Sequence, residues 1–244
     1  MMKSLYKHFL ALHAVPFPLL CVCMGISAAL ILAFLAFNWT LWLVGLLVLA
    51  AWVPVILYQM RDISRQHGWL ALLFLLLASQ TAHFFEHMSQ LVEIHLLGLT
   101  GNRAAGIISV LNTEWVHFLW NSWVLLIAIA LMFFFRKNPF LWLLFIFSIY
   151  HEIEHSYILS VYLHTGIQGT PGLLASGGLI GGGLPISRPD LHGLYAVYEE
   201  ALLLVAYYVE FSRVTIPAIR HQPQLTHASS RSTPVRANRS AFGS

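Results

Sequence analysis

Six long apolar runs constrain this chain more than any other feature. They read roughly Phe17 to Phe37, Leu41 to Met60, Trp69 to Leu97, Asn112 to Phe135, Phe140 to His164 and Leu191 to Phe211. A hydrocarbon layer ~30 Å thick is crossed by about 20 apolar residues of helix, and a backbone inside it must satisfy its own hydrogen bonds. The runs therefore predict an all-α, polytopic membrane protein with six transmembrane helices. Composition agrees, since 58% of the 244 residues are hydrophobic and only 9% are charged, outside the range of soluble domains.

Charge sets the expected orientation. Lys3, Lys7, Arg61, Arg65, Arg136, Lys137 and the arginines from Arg213 onward fall on one side, against Arg103 and Arg188 on the other. The positive-inside rule then puts both termini in the cytoplasm of a multi-pass protein of the cell (plasma) membrane. The net charge of +3 reflects that asymmetry, so the expected partner is the lipid bilayer and not nucleic acid. No small-residue cleavage site follows the first span, which reads as a retained anchor. Cys21 and Cys23 face different sides of it and read as buried small hydrophobes.

The fifth span contains HEIEH, residues 151–155, an unexpected load of ionisable side chains for lipid. The third contains HFFEH, residues 83–87, so the shared pattern is H-x-x-E-H: His83, Glu86 and His87 match His151, Glu154 and His155. Each copy then reaches a Gly-x-x-Gly, Gly98 to Gly101 and Gly166 to Gly169, and enters a helix with a histidine followed by an aromatic residue: His117 and Trp120, His192 and Tyr195. We read spans three to six as a duplicated, parallel two-helix unit. Three regions follow: 1–68, an N-terminal segment with two scaffold spans; 69–211, a histidine-rich four-helix bundle; and 212–244, a disordered basic cytoplasmic tail.

Residues at i, i+3 and i+4 share a helix face, so each H-x-x-E-H aims in one direction. Glu114, His117 and Asn121 repeat the logic on the fourth span, His192, Tyr195 and Glu199 on the sixth, and Gln80 and Gln90 extend the face of the third. At a rise of about 1.5 Å per residue, the histidines fall in one layer of the outer half of the membrane, with Glu199 deeper. A carboxylate in lipid costs about 2.5–3.5 kcal/mol on the insertion scale and needs a partner. A divalent cation supplies one, and bundles with paired Glu-x-x-His motifs hold two metals.

The expected ligand set is His83, Glu86, His87, Glu114, His117, His151, Glu154, His155, His192 and Glu199, with Glu152, Gln80, Gln90, Asn121, Tyr195 and Trp120 around it. Mixed His and Glu donors suit one or two non-haem metal ions, iron favoured and zinc or copper possible. Carboxylates on the same turn make haem a weaker fit. HEIEH also satisfies the H-E-x-x-H zincin pattern, but Glu152 is Phe84 in copy one, so the shared carboxylate is Glu154. The expected function is a metal-dependent oxidoreductase of the hydroxylase type, acting on a lipophilic small molecule with an unidentified redox partner. The alternatives are a metal-ion or proton-coupled transporter, with GTPGLLASGGLIGGG as an outer gate, an intramembrane zinc hydrolase, and a metal-free polar network.

HFFEH, EWVHFLWN, HEIEH and GTPG together resemble an uncharacterised family of polytopic, histidine-rich bacterial membrane proteins, over Trp69 to about Phe211. The resemblance implies a multi-pass fold and brings no activity with it. Membrane hydroxylases and desaturases are a looser analogy, because their H-x-x-H-H boxes are missing here.

Overall fold

A computed structural model describes residues 15–100 and 103–229, without the side chains of 66 and 215–229. Lys3, Lys7, Gly101 and everything after 229 lie outside the described residues. Among the described residues six α-helices carry the fold: α1 (Phe17–Phe37), α2 (Leu41–Gln66), α3 (Gly68–His95), α4 (Glu114–Phe134), α5 (Pro139–Thr165) and α6 (Arg188–Ser229). Among the described residues there is no strand, only one isolated bridge between Gly178 and Gly182. Helix α6 runs on to Ser229, into the segment expected to be disordered.

Four helices, α1 to α4, are long and apolar enough to cross a membrane. Helix α5 has the length, but HEIEH dilutes its apolar run. Leu, Ile, Val and Phe side chains stand exposed along all these helices, including Leu32 and Leu35 on α1, Leu126 and Phe133 on α4, and Ile146 and Ile153 on α5. Such a surface is consistent with lipid around the protein and would be a liability in water.

Local signals explain the helix starts. Thr113 caps α4 by accepting from the Val116 N–H (3.3 Å). Asn138 caps α5 by accepting from Phe140 and Leu141 N–H, while its amide donates to the Ala206 carbonyl of α6 at 2.9 Å. Pro139 occupies the first turn of α5, where its missing N–H costs nothing. Ser187 closes the start of α6 with Asp190: its hydroxyl donates to the carboxylate (2.6 Å) and accepts from the Asp190 N–H (3.3 Å).

Helix α3 packs on α6, α6 on α5, α5 on α4 and α4 on α3, while α2 lies against α3 and α1 against α2. The cycle encloses Leu70, Leu73, Phe74, Leu76 and Leu77 of α3 with Leu131 of α4, Leu141 and Leu144 of α5, and Leu203, Ala206 and Tyr207 of α6. This apolar core fills the end of the cycle where α2 turns into α3 and α4 into α5. The opposite end carries the two long loops, 96–113 and 166–187, and the polar cluster lies beneath them. Scaffold helix α2 supports the first loop at Gly45, where an added Cβ would meet the Ile107 side chain at 2.9 Å.

Candidate metal centre

All six expected histidines come together. Ring centroids in copy one, His83, His87 and His117, stand 4.5, 5.9 and 5.7 Å apart pairwise. In copy two, His151, His155 and His192 stand 4.9, 5.7 and 5.1 Å apart. The copies touch through His117 and His155 (5.7 Å, near-parallel) and through His87 and His192 (6.2 Å). His87, His151, His155 and His192 are buried, and His83 and His117 half-buried.

Second hydrogen bonds fix three of the six imidazoles, while Nδ1 of His87 and of His155 is buried without a hydrogen-bond partner. His151 donates from Nδ1 to Glu199 Oε1 at 3.0 Å, leaving its Nε2 buried without a hydrogen-bond partner. His117 and His192 each bond through Nδ1 to the carbonyl four residues back, Thr113 at 2.9 Å and Arg188 at 3.0 Å. With the proton on Nδ1, the Nε2 lone pair is free, as in metal-ligating histidines. Nε2 of His192 lies 3.2 Å from Nε2 of His155, and Nε2 of His83 lies 3.1 Å from Nε2 of His87. Two nitrogens ligating one ion tetrahedrally at 2.0–2.1 Å lie roughly 3.3–3.4 Å apart, slightly beyond both contacts. One ligand nitrogen from each of His151, His155 and His192 falls within 4.8 Å of the others. These three buried histidines can hold a metal ion.

The glutamates divide differently from the expectation. Glu199 is joined to the cluster: besides His151 it accepts from Gln80 Nε2 at 2.7 Å, and Gln80 in turn accepts from Trp120 Nε1 at 3.0 Å. Trp120 stacks on His83 with centroids 5.1 Å apart, and Tyr195 faces His151 at the same distance. Glu86 and Glu154, expected as ligands, bind the loops instead. Glu86 Oε1 accepts from the Ile108 N–H at 2.8 Å, and Glu154 Oε1 from the Leu173 N–H at 2.9 Å. In both copies a positive-φ glycine presses on that carboxylate, Gly106 (φ 80°) and Gly172 (φ 83°), where a Cβ would collide with it. Glu93 reinforces the first clamp by accepting from the Gly106 N–H at 2.8 Å.

Glu114 also looks away from the histidines. Its two oxygens take both terminal nitrogens of Arg188 at 2.8 and 2.6 Å, and Oε1 takes the Gly169 N–H at 3.0 Å. Arg188 was legible only as a charge marking the outer side; a carboxylate at an apolar helix start, needing a cation, was the available clue. Asn121 donates to the His117 carbonyl at 2.9 Å, and buried Gln90 stands beside His87. Glu152, the would-be zincin base, accepts from Ser122 at 2.7 Å, and Glu200 from Thr81 at 2.8 Å.

A cavity of about 500 Å³ leads from the long-loop end to His87, His117 and His192. Its wall mixes Ile94, Leu99 and Pro189 with Gln90, Thr113, Gln168 and Arg188. Beside it, His95 Nε2 meets Asp190 Oδ1 at 2.6 Å. The Ser187 hydroxyl, and then His95, hold the Asp190 carboxyl below the usual carboxylate range. The glycine-rich loop, expected as a gate, is cross-braced by its own backbone. Leu179 N–H donates to Gly172, Ile180 to Leu173 and Leu184 to Leu174, at 3.1, 3.0 and 2.7 Å.

Compared with known proteins, the chain matches no family model, no curated protein and no solved structure.

Proposed function

We propose that the protein is a multi-pass membrane metalloprotein that works as a metal-dependent oxidoreductase, its histidine centre in the outer half of the bilayer. In this reading α5 and α6 also cross the membrane, α3 to α6 form a four-helix bundle, and both termini are cytoplasmic.

One observation carries the reading: imidazoles from four helices converge, His117, His151 and His192 each held at Nδ1 from behind, with Nε2 of His151 and Nδ1 of His87 and His155 buried without a hydrogen-bond partner. With Glu86, Glu114 and Glu154 engaged elsewhere, the donors are imidazoles alone. That set moves the metal preference from iron towards copper, with zinc next. When bound, such a metal supplies one-electron chemistry or Lewis acidity at the cavity floor.

The chain's own residues do the rest. Glu199 holds the proton of His151 at Nδ1 and keeps the opposite nitrogen turned into the site. The cavity admits a small amphipathic molecule from the outer side, its apolar portion on Ile94, Leu99 and Pro189 and its polar groups on Gln90, Thr113 and Gln168. The leucine-rich core blocks passage to the cytoplasmic side, which weighs against transport. Hydrolysis loses its candidate base, because Glu152 binds Ser122 and does not line the cavity.

The test is metal analysis with redox titration of protein purified in detergent. Copper or iron that is reduced by ascorbate or dithionite and reoxidised by oxygen is the expected result. Zinc as the sole bound metal would overturn the redox role, and absence of metal would overturn the metal centre.

A further inference from the structure

We infer that each copy of the repeat holds its own metal ion, so that the cluster is a two-metal centre with three histidines per ion. This rests on the metal-centre reading above and goes further, since that reading requires only the compact set of His151, His155 and His192.

Copy one matches that set in its donors and in the placing of its first and third histidines. His83 and His87 stand one turn apart on α3 as His151 and His155 do on α5. His117 fixes its Nδ1 on the carbonyl four residues back, as His192 does. The short Nε2 contacts both fall inside a copy, though at different positions: 3.1 Å within α3 for His83 with His87, and 3.2 Å between α5 and α6 for His155 with His192. An aromatic ring covers the first histidine of each, at 5.1 Å in both cases. Copy one therefore repeats the donor types, the tautomer control at its third histidine and one close pair of nitrogens.

Without metal, each short contact would be a single N–H···N hydrogen bond, and the two histidine sets would be packing networks. Position in the cavity favours two ions. His87 and His117 of copy one and His192 of copy two line the same floor, so a molecule in the cavity meets both copies at once. Two redox ions facing one substrate can exchange two electrons without releasing a half-reacted product. The wider, half-buried copy-one set is the weaker of the two sites.

The test uses full-length protein in detergent, stripped with a chelator, titrated with Zn²⁺ alone and counted by native mass spectrometry. Two ions per chain with unequal affinities are expected. His83→Ala with His87→Ala should retain one ion, and His151→Ala with His155→Ala should retain one, the retained ion itself reporting a folded partner site. One ion per wild-type chain overturns the inference without any variant. If the copy-one variant keeps that ion, only copy two binds metal; if both variants lose it, the six histidines share a single site. No ion on the wild type removes the metal-centre reading as well.

Discussion

His151, the first histidine of copy two, donates directly to a carboxylate, Glu199, at 3.0 Å. His83, its counterpart in copy one, instead lies under Trp120, which reaches the same Glu199 only through Gln80. The loops are treated alike: Glu86 clamps one and Glu154 the other, each beneath a positive-φ glycine. The two H-x-x-E-H segments thus share the loop clamps of the site and differ in its electrostatics. A carboxylate behind an imidazole makes the ligand more basic and fixes its orientation, whereas His83 has the Trp120 ring stacked on it. The difference points to one tight and one weak half sharing a single buried anion.

The largest expected effect breaks the link between the copies. Arg188 of copy two and Glu114 of copy one form a bidentate, largely buried pair. Arg188→Met leaves that carboxylate uncompensated and should lower stability by about 3–5 kcal/mol, read by thermal unfolding in detergent. The Arg188→Met, Glu114→Gln double variant should recover most of the loss. Equal instability of the single and double variants would mean that the pair does not join the copies.

Next come the loop clamps. Glu86→Ala and Glu154→Ala each leave a loop N–H without its acceptor and should cost about 1–3 kcal/mol. Gly106→Ala and Gly172→Ala should act in the same direction, and loop proteolysis should rise in all four. Bound metal should stay constant in the glutamate variants. Loss of an ion from either would restore that carboxylate to the ligand set.

These clamps mark the limit of what the sequence makes legible. H-x-x-E-H identifies four of the histidines because i and i+4 are neighbours on a helix face, and these meet His117 and His192 of the helices that follow. The glutamate at i+3 lies about 100° round the helix from the second histidine, at the margin of that face, where loop backbone can reach it. Its partners are N–H groups of Ile108 and Leu173, and no side-chain pattern encodes a backbone donor. Glu199 was readable because its offset from His192, seven residues, keeps it on the same face. The six helices follow from hydropathy, although the polar load of α5 makes it less apolar than α1 to α4.

A subtler effect separates the tight half from the weak one. Glu199→Gln keeps the shape but removes the charge behind His151, and should weaken the copy-two ion about 10–100-fold while copy one changes less. Equal weakening of both ions in a Zn²⁺ competition titration would show that the anion serves the copies symmetrically.

The smallest effect lies at the rim. Asp190, held below the usual carboxylate range by Ser187 and His95, favours the folded state above the unfolded carboxylate range. That contribution fades as pH falls through its depressed folded value. Asp190→Asn should therefore cost under about 1 kcal/mol for so exposed a group, and the gap from wild type should close at strongly acidic pH. A gap that widens on acidification would reverse the assignment.

Whether the donors are imidazoles alone is the central claim, and X-ray absorption spectroscopy of the metal-loaded protein addresses it most directly. The account predicts a first shell of nitrogen or light solvent atoms with strong outer-shell imidazole scattering, unchanged in Glu86→Gln and Glu154→Gln. A carboxylate-rich shell that alters in those variants would contradict it.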